Sequence, residues 1–210
     1  MRWAPNVFSW VMVHRGQIAE ALEQCERETA LISPDSDISS IWAYGQMASA
    51  YIYARQYEEA EEAFGQIIPS LTRTPAAMHL GVDLFGDAVT TVAALWLNAA
   101  DADKPRYAQM LKDAEGWQAR FARWFSYSKP RRANLQAYIA RLRGDNTAAE
   151  RHARAALPLA DQYKMPLDSA LAYHTLARVA SSDSVRADYA ALCVQKCAEL
   201  GILPEYLYPN

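Results

Sequence analysis

The 210 residues carry 21 Lys and Arg against 24 Asp and Glu, a net charge of −3, with 51% apolar residues, 21% charged residues and 8 Gly. That balance excludes a low-complexity disordered chain, and a chain of this length buries roughly 70% of its unfolded surface, enough for a sizeable core. Abundant Ala and Leu with few β-branched runs favour helices over strands, and no run of 18 or more apolar residues marks a membrane span.

Helical segments alternate with Gly, Pro, Asp and Asn punctuation. The first is expected from about Pro5 to His14; its MRWAPNVFSWVMVHRG context lacks a small-x-small cleavage pattern and reads as structure, or as the start of a piece of a longer protein. After a turn at Arg15-Gly16, a second helix runs from Ile18 to Leu31, with Ile18, Ala21, Leu22, Cys25 and Thr29 on one stripe. SPDSD at 33–37 caps a third, Ile38 to Ala54, and a fourth spans Tyr57 to Leu71. Thr74-Pro75 opens a fifth, reaching Asn98 through Met78, Leu80, Val82, Leu84, Phe85, Val89, Val92, Leu95 and Trp96. It is apolar nearly all round, which places it at the centre.

Asp101 and Asp103 precede a sixth helix through Phe125, which SYSKP breaks. A seventh, Arg131 to Arg143, turns at Gly144-Asp145-Asn146 into an eighth ending near Tyr163. Pro166 opens a ninth to Ala180, and a tenth runs from Ser184 to Leu200. Gly201 takes the place of a C′ glycine, and the Leu and Tyr residues of LPEYLYPN are expected to fold back on the last pair.

Self-similarity organises these helices. RQYEEAEEAFGQIIP at 55–69 aligns without a gap on GDNTAAERHARAALP at 144–158, matching Ala60 with Ala149, Glu61 with Glu150 and Pro69 with Pro158. Taking Ala21, Ala60, Ala108, Ala149 and Ala187 as equivalent gives steps of 39, 48, 41 and 38. Tyr44, Met47, Ala48 and Tyr51, followed by Tyr57, Ala60 and Phe64, set large and small residues where two antiparallel helices must meet. On these residues the chain resembles the tetratricopeptide repeat family. Its longer, varying steps look like the degenerate repeats in regulatory domains of bacterial signalling ATPases and transcription activators. The resemblance implies an all-α, right-handed superhelix of about five antiparallel hairpins, at about 3–32, 36–72, 75–125, 130–163 and 166–201, within one domain, with 202–210 as a tail. It also implies a second helix face lining a groove that holds an extended peptide.

Trp42, Gln46, Ser49 and Tyr53 lie opposite the Tyr44 stripe on the third helix, and are candidates either for that groove or for packing on the preceding hairpin. On the ninth helix the corresponding face is Leu171, His174, Arg178 and Ser181. Residues 116–144 hold 7 basic and no acidic residues, interleaved with aromatics. Within this island Arg131, Arg132, Tyr138 and Arg141 are candidate contacts for an acidic protein or peptide, with solvated faces or pairing to Glu58, Glu59, Glu61 and Glu62 as the plain reading and nucleic acid the less favoured partner.

No HExxH, phosphate loop or nucleophile elbow occurs, so neither catalytic nor metal-binding residues are expected, nor a cofactor. Asp35 with Asp37 and Asp101 with Asp103 read as helix caps, and Cys193 with Cys197 as buried small residues. Three cysteines suit a reducing, cytoplasmic setting. The expected function is non-enzymatic protein or peptide binding in a regulatory or scaffolding system, with homodimerisation through the first hairpin open. The alternative is a small-molecule sensor whose ligand sits beside the central apolar helix.

Overall fold

In a computed structural model, the described residues are 4–32, 37–73 and 81–209. The expected cap at 33–36 with Asp35, the Thr74-Pro75 start, and Met78 and Leu80 lie outside them, as do the side chains of Val82 and Leu84. The described residues are all-helical, without strands: α1 (Ala4–His14), α2 (Ile18–Thr29), α3 (Asp37–Ala54), α4 (Tyr57–Arg73), α5 (Gly81–Asn98), α6 (Lys104–Trp124), α7 (Lys129–Leu142), α8 (Asn146–Gln162), α9 (Pro166–Val179) and α10 (Asp183–Leu200). Short 3-10 turns occupy Ser126–Ser128 and Pro204–Tyr206.

Five of the turns are built alike. Gly16, Arg55, Gly144, Lys164 and Gly201 all have positive φ, between 55° and 78°. At each, the left-handed residue donates its N–H three residues back and the next residue donates five back: Arg55 to Ile52 and Gln56 to Tyr51, Gly144 to Arg141 and Asp145 to Ala140, Lys164 to Asp161 and Met165 to Ala160. These are Schellman caps, which satisfy carbonyls that a helix end would otherwise orphan. Asp145 also caps α8, accepting from the Ala148 N–H at 2.9 Å, and prolines sit in the first turn of α7 and α9.

The chain forms two compact units, residues 1–121 with 209–210, and residues 122–208. In the first, α3 packs on α4, α2, α5 and α1, so that α1, α3 and α5 neighbour one another alternately. Ala48 and Ala60 are both fully buried, and Tyr51 and Tyr57 pack on a cluster of Ile52, Ala60, Ala94, Leu95 and Tyr107. Residues 91–95 of α5 are consecutively buried, as a helix covered on every side requires.

In the second unit α7, α8, α9 and α10 pack in sequence and α7 also meets α9. Alanine seams let them approach: Ala133 with Ala156 and Ala172, and Ala137 with Ala153 and Leu176. The alanine register fits three helices and fails in two. Ala21, Ala60 and Ala149 are fully buried, whereas Ala108 and Ala187 are exposed. In α6 the buried stripe is instead Tyr107, Leu111, Ala114, Gln118 and Phe121, and in α10 it is Cys193 and Cys197. Both helices are rotated relative to the alanine register, because these larger side chains claim the buried face. Pro69 and Pro158 lie inside α4 and α8, each of which continues for several residues past its proline.

Candidate functional site

Three places in the structure concentrate polar and aromatic side chains. In the first unit Gln46, Ser49 and Tyr53 meet α1, and Trp42 lies one turn before them on the same face of α3. Gln46 is buried and its Oε1 accepts from the Ser9 hydroxyl, and Tyr53 meets the His14 ring edge-on at 6.4 Å. The Trp42 indole N–H is buried without a hydrogen-bond partner in the protein. A small cavity here is lined by Ser9, Trp10, Val13, His14, Gln46, Ser49 and Asp87. It brings a serine, a histidine and an aspartate into one lining, a convergence that three distant segments of sequence did not suggest. Its volume is about 10 Å³, room for no more than a single water, so neither a substrate nor a sensed small molecule fits there.

The second place is an open cleft of about 500 Å³ in the second unit, lined by Ala122, Arg123, Lys129, Arg132, Ala133 and Gln136. Local sequence makes it. Phe125 takes extended backbone (φ −119°, ψ 95°) and ends α6. The buried Ser128 hydroxyl donates to the Phe125 carbonyl at 2.9 Å and tightens the bend, and Pro130 starts α7. Lys129, Arg132 and Gln136, three and four residues apart, therefore share one face of α7. The cleft lining holds three cations and no carboxylate, and the nearest residues in sequence, 116–144, contain none either. Beside Arg123, Trp124 is 79% exposed, an unusual state for so large an apolar surface, and Phe125 and Tyr127 pair at 5.6 Å. Glu61, one of the carboxylates considered for the basic island, accepts instead from Arg106 and Tyr107.

The third place lies on the face of α7 nearly opposite the cleft. There Arg131 and Asn134 bond to Asp168 of α9, and Arg141 lies near His174 and Arg178. The Arg131 Nε donates to Asp168 Oδ1 at 2.9 Å and its Nη2 to Oδ2 at 3.4 Å, with side chains 7% and 0% exposed. Asn134 Nδ2 donates to the Asp168 carbonyl at 2.8 Å and to its Oδ1 at 3.2 Å. Arg141 lies over the Tyr138 ring at 5.5 Å, and Arg178 donates to the His174 carbonyl at 3.1 Å. Burial, reinforced by the charges of Arg178 and Arg141, pulls His174 down to about 3, so it is neutral at ordinary pH. Tyr208 stacks on Tyr138, centroids 4.3 Å apart and planes 4° from parallel, and burial raises its hydroxyl well above the usual phenol range.

Of the residues singled out from sequence, Arg131, Tyr138, Arg141, His174 and Arg178 thus come together, Arg132 joins the cleft, and Trp42, Gln46, Ser49 and Tyr53 form a separate set in the other unit. Asn134, Asp168 and Thr175 were not among them, and Tyr208 was expected only as one of the tail residues that fold back on the last pair. Of the first three only Asp168 left a signal, as an acid in the first turn of a helix opened by Pro166.

The three cysteines are buried and form no disulfide. Burial, then the nearby Glu28, pushes the Cys25 thiol up to about 12. A hydrogen bond within the pair holds Cys193 below its ordinary value and raises Cys197. Among the described residues no group of three or more His, Cys, Asp or Glu side chains is placed to hold a metal ion, and no helix is long and apolar enough to cross a membrane. Comparison with protein-family models, with curated proteins and with solved structures finds no match.

Proposed function

We propose that this chain is a non-enzymatic module that binds an extended, acidic segment of a partner protein in the α6–α7 cleft, as a regulatory or scaffolding part of a larger system. The observation that carries this reading is the cleft itself: about 500 Å³, open, lined by Arg123, Lys129, Arg132 and Gln136 with no carboxylate, and flanked by a Trp124 that is 79% exposed. Cations around a concave surface attract and orient a carboxylate-bearing chain, and an exposed indole offers a rigid anchor of the type that dominates protein interfaces. A tetratricopeptide-like superhelix suits this role. Support for it comes from the alternate packing of α1, α3 and α5 and of α7 with α9, and from the five turns of one construction.

The test is fluorescence anisotropy with a labelled decapeptide of alternating Glu and Gly. Exposed ion pairs contribute roughly 0.2–1 kcal/mol each, and reversing a charge replaces attraction with repulsion. The Arg123→Glu/Arg132→Glu chain should therefore bind at least tenfold more weakly, and binding should fall with added salt. A ten-nucleotide oligo-dT that bound far more tightly than the peptide would replace this reading with nucleic-acid binding.

A further inference from the structure

The polar face between α7 and α9 calls for an explanation of its own. Elsewhere the second unit is sealed by alanines, yet here Asn134, His174 and Thr175 are 0 to 2% exposed. Burying such groups is unfavourable unless each finds a partner. What meets Tyr138 and His174 on this face is Tyr208, carried by residues 202–208. They leave α10 through the left-handed Gly201, make a 3-10 turn at Pro204–Tyr206, and bury Leu207 and Tyr208 to 3% and 1% exposure. The amides of Ile202, Tyr206 and Leu207 bond locally, to the carbonyls of Cys197, Leu203 and Pro204.

Tyr208 is a good occupant in shape and a poor one in polarity. Its ring stacks on Tyr138 and stands 5.6 Å from His174. Its hydroxyl nevertheless has no hydrogen-bond partner in the protein, and neither do both His174 nitrogens, Thr175 Oγ1, Asn134 Oδ1 or Arg141 Nε. Six buried polar atoms of α7, α9 and Tyr208 are therefore left without a partner. We infer that the α7–α9 face is a binding slot for an extended Leu-Tyr-bearing segment of a partner protein, and that this chain fills it with its own residues 202–208. The self-ligand seats an aromatic ring without satisfying the slot, which makes it displaceable by a segment that brings acceptors to Arg141 and hydrogen-bonding groups to His174. This slot shares α7 with the basic cleft but uses a different face and different residues.

The experiment uses a fluorescein-labelled peptide of residues 202–208, Ile-Leu-Pro-Glu-Tyr-Leu-Tyr, and the full chain. Tyr208→Ala empties the slot, so the peptide should bind that chain at least tenfold more tightly than the unaltered one, and a further His174→Ala change should remove the gain. Affinities within threefold of each other for the unaltered and Tyr208→Ala chains overturn the inference. If circular dichroism shows that Tyr208→Ala does not fold, hydrogen exchange on the unaltered chain decides. With 1 mM peptide, amide exchange at Leu207 and Tyr208 should accelerate at least threefold, and unchanged rates overturn the inference equally.

Discussion

Replacing Asp168 by Ala removes two carboxylate oxygens that hold Arg131, at 2.9 and 3.4 Å, together with one acceptor for Asn134. Because the Arg131 side chain is 7% exposed, the guanidinium left behind has little water to replace its partner. Breaking a buried pair from one side costs about 3–5 kcal/mol, whereas replacing both members by apolar residues of similar size is close to neutral, since desolvation of two charges offsets most of their attraction. The signature is thus non-additivity: Asp168→Ala and Arg131→Met are each strongly destabilising, while Arg131→Met with Asp168→Leu loses no more than about 1–2 kcal/mol. With two compact units a single unfolding midpoint mixes contributions, so the readout is native-state hydrogen exchange at the Ala137 and Leu176 amides, inside the second unit. A loss below about 1 kcal/mol for Asp168→Ala, or single losses that simply add in the double variant, would refute the view that this pair is a buried, mutually dependent anchor.

His174 gives a pH signature. Its value in the folded chain is about 3 against 6.5 for the ordinary side chain, so between these values the unfolded state binds more protons and stability falls as pH falls. The stabilisation is fully present above 6.5 and decreases by up to about 1.4 kcal/mol per pH unit below it; urea titrations at pH 7.0 and 5.5 should show this slope in the unaltered chain and its reduction in His174→Phe. An equal slope in both chains would place His174 in contact with solvent. Tyr208→Phe deletes a buried hydroxyl that lacks a partner, so the melting temperature should stay constant or rise, and a loss above about 1 kcal/mol would show that the hydroxyl is bonded. At the turns, Lys164→Gly should stabilise by roughly 0.5–1 kcal/mol because Lys164 holds φ 55°. Gly144→Ala should destabilise by about 1 kcal/mol through its φ of 78° alone, since an added Cβ would meet nothing within 4 Å. Thermal melts that reverse either sign would contradict the cap assignment.

Local signals in the chain were read well and distant ones were not. Gly16, Gly144, Gly201 and Pro166 mark helix ends because their backbone constraints act within a few residues, and the observed boundaries follow them closely. Arg55 and Lys164 take up the same left-handed cap with no glycine to announce it. The alanine register could be followed where alanine is the small residue at a close crossing, as at Ala60 and Ala149, but it assigned Ala108 and Ala187 to a buried face that Tyr107, Leu111, Cys193 and Cys197 occupy. The aromatic and basic residues of α7 stood out by composition alone. Their division into an open face with Arg132 and a buried one with Arg131 is a difference of one residue, and it depends on the rotation of α7 against α9, which pairs residues 37 apart. Tyr208 was legible as an apolar residue that folds back, while its seat against Tyr138 follows only from three-dimensional placement.

The proposed role of the basic cleft is tested most directly by nuclear magnetic resonance of the labelled full chain during titration with the Glu-Gly decapeptide. The account predicts saturable shifts at the Trp124 indole N–H and at the amides of Arg123, Lys129, Arg132 and Gln136, reduced at high salt. Shifts confined to α3, or none at millimolar peptide, would contradict it.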